Sequence, residues 1–263
     1  HGSQRWISIG PFSLQPSELA KIGIILFLAA YISSKSREMR QWKKMVIPFL
    51  FAIPIIVIVG IENLSTCIIL LAISFIMIFV ATPLWVPFVV IGLIGVAGLL
   101  LTQGYRMERI TVWLDPAASE KGHQTIQGLY AIGSGGLFGK GLGQSMQKLG
   151  FLPEANNDMI FSVICEELGL FGALCVLALF FALIWRFMVI AVNAPDLYGS
   201  MIVVGVIAHI GIQVFINIAV ATNTIPNTGI PLPFISYGGS SLVFMLLEMG
   251  LVLSVSRYIN VKK

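Results

Sequence analysis

The sequence predicts an all-α, polytopic membrane helix bundle, and three observations carry that prediction. The chain of 263 residues is 57% hydrophobic and only 11% charged, whereas soluble domains are roughly a quarter charged. Its mean hydropathy is +0.93. Apolar runs of about 20 residues, the length that crosses a bilayer, recur along it. So few charges cannot cover a water-facing surface, and lipid as the solvent resolves this. The formal charge of +4 is therefore read by membrane face, not as a nucleic-acid footprint, and no nucleic-acid partner is expected.

Seven runs qualify as spans: 17–34, 45–61, 64–81, 86–102, 159–187, 198–221 and 239–258. Glu62-Asn63 joins the second tightly to the third, and Thr82-Pro83-Leu84-Trp85 joins the third to the fourth. Lys35, Arg37, Arg40, Lys43 and Lys44 lie between the first two spans, against one acid, Glu38. Arg186 stands at the end of the fifth span; Arg257 stands at the end of the last, and Lys262 and Lys263 follow it. If the spans alternate, all these fall on one side, which the distribution of basic residues makes the cytoplasm. The C-terminus is then cytoplasmic, and residues 103–158 and 222–236 face outward. Long loops are exempt from that rule, so Arg106, Arg109, Lys121, Lys140 and Lys148 call for something anionic outside. An outward start without Met or a signal pattern reads as the larger part of a longer protein, with an odd number of spans before His1. The outer loop 103–158 is Gly-rich and interrupted, which suits short re-entrant or amphipathic helices better than a linker. Cys67, Cys165 and Cys175 lie in apolar runs. An odd count without paired spacing argues against a disulfide framework or a zinc site.

Four segments carry candidate chemistry. The stretch 131–143, AIGSGGLFGKGLG, fails the Walker pattern, because Gly141 follows Lys140 where Ser or Thr is needed. Its glycines still let backbone amides approach an anion while Lys140 adds charge, so a pyrophosphate-facing role and a packed re-entrant turn both fit. In the second segment, 152–169, Asp158 sits where the outer loop becomes a span. It is a helix cap or a functional acid. Glu166 and Glu167 lie about two turns deeper, where ionisable groups are expensive and usually functional. Glu166 falls about 80° from Asp158 around the helix and Glu167 opposite, so Glu166 suits a cavity under Asp158 and Glu167 a neighbouring helix. Glu154 is the other acid of that turn.

The opening segment pairs Arg5 with Trp6, an interfacial combination, and starts a helix with Ser17-Glu18, from which Lys21 is three residues away and can pair with Glu18. Alone this reads as anchor and cap. The fourth segment, 228–241 or TGIPLPFISYGGSS, places prolines and glycines at membrane depth, which implies broken backbone lining a cavity. Ser236 and Tyr237 lie within it. Upstream, His209, Gln213 and Asn217 share one helix face, as interhelical glue more readily than as a proton path.

Together these four segments resemble the SEDS (shape, elongation, division and sporulation) family, whose members include RodA, FtsW and SpoVE. They occur in family order across essentially the whole chain, and the last is highly specific. The family has about ten membrane helices, which implies that the first three precede this chain and that residues 1–263 form one membrane domain. Two motifs depart from the pattern. Glu62-Asn63-Leu64-Ser65-Thr66 stands where Gln-Pro-Asp-Leu-Gly-Thr is usual, and Asn156-Asn157-Asp158 keeps the acid of His-Thr-Asp but loses the His. These variants resemble a division-type, FtsW-like member.

The resemblance implies a bacterial inner-membrane glycosyltransferase that polymerises peptidoglycan strands from lipid II and releases undecaprenyl diphosphate. Asp158 corresponds to the family's essential acid and is expected to be the general base; the Trp matching Trp6 is also needed. Arg5, Trp6, Glu18, Lys21, Arg106, Arg109, Lys140, Glu154, Glu166, Ser236 and Tyr237 are expected to bind substrate. No cofactor is certain; a divalent cation, Mg or Mn, would suit a pyrophosphate leaving group. Expected partners are a class B penicillin-binding protein, met through membrane helices, and other divisome or elongasome proteins. A lipid II flippase and a non-catalytic divisome scaffold are the competing readings; outward acid and outward basic loop favour the polymerase.

Overall fold

A computed structural model of the chain describes residues 7–9, 12–36, 42–82, 105–119 and 122–259. The span expected at 86–102, together with Arg5 and Trp6, lies outside the described residues. The described helices are α1 (Pro16–Ser34), α2 (Trp42–Glu62), α3 (Leu64–Ala81), α4 (Tyr105–Leu114), α5 (His123–Gly135), α6 (Ile160–Asn193), α7 (Leu197–Ala221) and α8 (Gly239–Arg257). Among the described residues, α1, α3, α6, α7 and α8 are long and apolar enough to cross a membrane, and α2 holds a shorter apolar run, Val46–Glu62. The chain is a multi-pass helical membrane protein.

The helix ends follow ordinary local rules. Pro16 opens α1, where its missing N–H and fixed φ cost nothing. Asn63 ends α2 and caps α3, its Oδ1 accepting from Thr66 N at 3.3 Å, so the expected tight connection is real. Pro48 and Pro54 lie inside α2, as membrane helices tolerate. One addition was not expected: an antiparallel hairpin, β1 (Ile7–Ile9) with β2 (Phe12–Leu14), pairs Ile7 with Leu14 and Ile9 with Phe12 ahead of α1.

The chain divides into two compact units: His1–Val96 with Ile184–Ile212 and Gly239–Lys263, and Ala97–Leu183 with Gln213–Gly238. In the first, α1 packs against α2, α3 and α8, burying Ile25, Leu28, Leu70, Ile73 and Met77. Gly205 of α7 comes so close that a Cβ would lie 2.6 Å from Ile25 Cγ2. Small residues allow this approach between membrane helices.

In the second unit the long outer connection folds into α4, a 3-10 turn at Pro116–Ala118, α5, a Gly-rich turn and a second 3-10 turn at Gln147–Leu149. It is a folded element, as its interrupted composition suggested. Helix α6 extends past the expected end at 187 to Asn193, so Arg186 lies inside it. The helix is also broken: Gly169 has φ 67° and ψ −167°, a conformation essentially confined to glycine.

Candidate functional site

Asp158 closes the turn that leads into α6. The turn is tight, with Asn157 N donating to Glu154 O at 2.9 Å and Glu154 itself at positive φ. Asn157 Nδ2 donates to the Glu154 carboxylate. Leu152, Ala155 and Met159 are buried beneath it, and Asp158 is buried with them, 7% exposed. Burial, then the charge of Glu154, pushes the Asp158 carboxyl up to about 6; hydrogen bonds from its own and Met159's amides and from Gln124 pull the other way. A carboxyl held there can give or take a proton near neutrality.

Three amides organise the turn. Gln124 of α5 donates to Asp158 Oδ1 at 3.2 Å and Oδ2 at 3.4 Å. Asn227 Nδ2 donates to Gln124 Oε1 at 3.1 Å, and Arg109 Nη1 of α4 donates to Asn227 O at 3.1 Å. From α7, Asn217 Nδ2 donates to Asp158 O at 2.7 Å and to Ile230 O at 2.8 Å, joining the acid's turn to the Pro/Gly-rich stretch. That stretch is fastened on its far side too. Ser236 Oγ donates to Asn157 O at 2.6 Å, and Tyr237 N to Asn156 O at 2.8 Å. The Tyr237 ring is left exposed. Arg109, Glu154, Asp158, Ser236 and Tyr237 are thus brought together. Gln124, Asn217 and Asn227 complete the group, though sequence reasoning put none of them at the acid.

A second cluster joins the Gly-rich turn to the break in α6. Lys140 N donates to Glu166 O at 2.9 Å, Gly141 N to Glu167 O at 2.9 Å, and Leu170 N to Gly136 O at 2.9 Å. The turn thereby supplies partners that the interrupted helix lacks. Glycine is required: a Cβ on Gly135 would lie 1.9 Å from Cys165 O. The Glu166 side chain, fully buried, accepts from Lys140 Nζ at 2.6 Å and from the amides of Met146 and Gln147 at 3.3 Å. Glu167 meets Lys148 Nζ at 2.5 Å and Gly143 N at 3.0 Å. Both acids therefore hold the Gly-rich turn; Glu167 was expected against a neighbouring helix. Lys140 is an ion-pair partner here. Arg106 lies on α4, with its side chain outside the described residues.

In the other unit Glu18 and Lys21 form a buried pair at 2.8 Å, reached by Ser241 Oγ at 3.5 Å. His209 Nδ1 lies 2.8 Å from Glu248 Oε2, both groups buried. His209 thus holds α8, and in the second unit Gln213 donates to Pro231 O at 3.0 Å. Among the described residues no three His, Cys, Asp or Glu side chains gather to hold a metal ion.

The described residues define a multi-pass helical membrane protein with a buried acid, Asp158, in the turn that enters α6. The chain belongs to the cell cycle protein family of FtsW, RodA and SpoVE, which it matches over residues 1–261. It is 48% identical to stage V sporulation protein E of Bacillus subtilis, over 98% of this chain and 72% of that protein. It is 37% identical to a probable peptidoglycan glycosyltransferase FtsW of Geobacter sp., over 97% of this chain and 71% of the relative. Among solved structures it resembles a chain of a peptidoglycan synthase complex that coordinates polymerization and crosslinking. The TM-score is 0.80 at 28% identity, covering 100% of this chain and 75% of that one. Rod shape determining protein RodA of Thermus thermophilus matches at TM-score 0.68 and 29% identity, over 98% and 71%.

Proposed function

We propose that this chain is a peptidoglycan glycosyltransferase that extends glycan strands from lipid II, with Asp158 as general base. The observation that carries the reading is the buried Asp158 carboxyl, pushed up to about 6 in a turn fastened from three sides. The 4-hydroxyl of the incoming sugar attacks the anomeric carbon of the growing strand and gives its proton to Asp158. The bond from that carbon to the lipid pyrophosphate breaks, and its electron pair leaves with the pyrophosphate oxygen. Hydrogen-bond reach and a near-neutral carboxyl are what this transfer asks of the base.

The leaving group needs charge neutralisation more than protonation. Arg109 stands in the Asp158 network and, with Arg5 and Arg106, forms the proposed basic set; Lys21 and Lys140, expected in it, are committed to Glu18 and Glu166. Trp6, Glu154, Ser236 and Tyr237 remain the other proposed substrate contacts, the exposed Tyr237 ring being the most available; Glu18 and Glu166, expected among them, are instead buried against Lys21 and Lys140. Residues 1–263 are proposed to form one membrane domain, in keeping with the family match over residues 1–261. A class B transpeptidase is the proposed partner, supported by the likeness to a complex that couples polymerization and crosslinking; the C-terminus is proposed to be cytoplasmic.

The test is polymerisation of lipid II by the purified full-length protein with its partner. Glycan chains are expected from wild type, and a drop of about 10² to 10⁴ from Asp158→Asn. Lipid movement without product would instead mark a transporter, and neither a scaffold. Asn caps a helix about as well as Asp, so the variant should fold.

A further inference from the structure

Resting on the general-base reading above, we infer that Asn227 and Gln124 are positioning residues that fix which end of the Gln124 amide meets Asp158. The backbone N–H of Gly229 can only donate, and it lies 2.9 Å from Asn227 Oδ1. That contact identifies the oxygen of the Asn227 amide. Its nitrogen is then the end that donates to Gln124 Oε1 at 3.1 Å. With Oε1 committed, Nε2 of Gln124 is the end that reaches both Asp158 oxygens, at 3.2 and 3.4 Å. Polarity runs one way, from a backbone amide to the carboxylate.

The source of that polarity is itself held. Arg109 Nη1 donates to Asn227 O at 3.1 Å. Gly229 has φ +68°, in the left-handed region that favours glycine, and a Cβ there would stand 3.9 Å from Asp158 Oδ2. A donor facing Asp158 favours the ionised carboxylate against burial and the nearby Glu154. A reversed amide would present its oxygen and favour the protonated acid, which cannot accept a proton.

The other charged or titratable groups around Asp158 among the described residues are few. Glu154 lies in its own turn, Arg109 on α4, and His123 on α5, where His123 Nε2 meets Phe151 O at 3.1 Å. Gln213 and Asn217 of α7 and residues 227–230 carry no charge. The next acids along α6, Glu166 and Glu167, are tied to Lys140 and Lys148.

The experiment titrates Asp158 in the full-length protein by its infrared carboxyl band, identified by its loss in Asp158→Asn, beside the pH profile of lipid II polymerisation. Gln124→Met removes the donor at nearly constant shape and should move the titration up by about one pH unit or more. Asn227→Asp introduces a group that can only accept, which turns the Gln124 amide round and also moves the titration up. Combined, the two changes should shift it hardly more than Gln124→Met alone, because the second acts through the first. Should the Met variant not fold, Gln124→Leu, which also lacks the donor and adds no charge, gives the same upward reading. An unmoved titration in the Gln124 variants overturns the inference. So does an Asn227→Asp shift that is as large without Gln124 as with it, since that is charge acting through space. A titration that moves while the rate profile stays fixed leaves the relay standing and removes Asp158 from catalysis.

Discussion

Gly139 and Gly169 meet backbone against backbone: a Cβ on Gly169 would lie 2.4 Å from Gly139 N. Each glycine also holds a positive φ, 76° and 67°. The contact locks the Gly-rich turn into the gap in α6.

Gly169→Ala should therefore be among the most damaging single changes in the second unit. It combines a glycine-only conformation, about 1–3 kcal/mol, with a backbone collision that no rotamer can relieve. The expected outcome is loss of monodisperse protein in detergent and a collapsed melting transition. A variant melting like wild type would mean that α6 is continuous through this point.

Asp158 sets a pH dependence of known sign. Only the ionised form can act as base, so polymerisation should fall as pH drops through about 6. Stability runs the other way. The folded-state value lies above the ordinary 3.8, so the contribution is complete below the unfolded value and is lost as pH rises through about 6, to an extent of about 3 kcal/mol. Melting of wild type from pH 4 to 8 should show this loss, and Asp158→Asn should abolish it. A flat wild-type profile would contradict the burial of a titrating acid.

Lys140→Met should destabilise, because it strands the buried Glu166 carboxylate without its cation. Removing one partner of such a pair costs about 3–5 kcal/mol, somewhat less here because Lys140 is partly exposed. Adding Glu166→Gln should restore part of the loss. A Lys140→Met variant that melts normally but binds lipid II about ten- to a hundredfold more weakly would return Lys140 to the pyrophosphate.

Orientation is open to chemical labelling. In a background without Cys67, Cys165 and Cys175, a cysteine at exposed Ser36 should resist an impermeant reagent in intact cells, and one at exposed Gln144 should react. The reverse pattern would invert the topology.

The described spans were legible because lipid demands about 20 apolar residues and the sequence shows them; α1, α3 and α7 begin and end within a residue or so of their runs. Asp158 was legible because an acid at the mouth of a span is conspicuous. Gln124 and Asn227 were not, since neutral amides are ordinary in loops and their bond joins residues 103 apart. The break at Gly169 was hidden for a similar reason: a glycine in an apolar run usually continues its helix, and only the turn 30 residues earlier makes the gap tenable. Lys140 looked free to meet an anion because its partner lies 26 residues on. The hairpin of three-residue strands left no periodic signal at all.

The His209–Glu248 pair has a consequence for how the chain enters the bilayer. Glu248 stands near the middle of α8, and a charged side chain there opposes insertion by about 2.5–3.5 kcal/mol. Its partner arrives first, on α7, because synthesis runs in that direction. Helix α8 therefore follows into the bilayer the helix that carries the partner of its acid. A chain lacking His209 would leave Glu248 of α8 without this partner in the apolar phase.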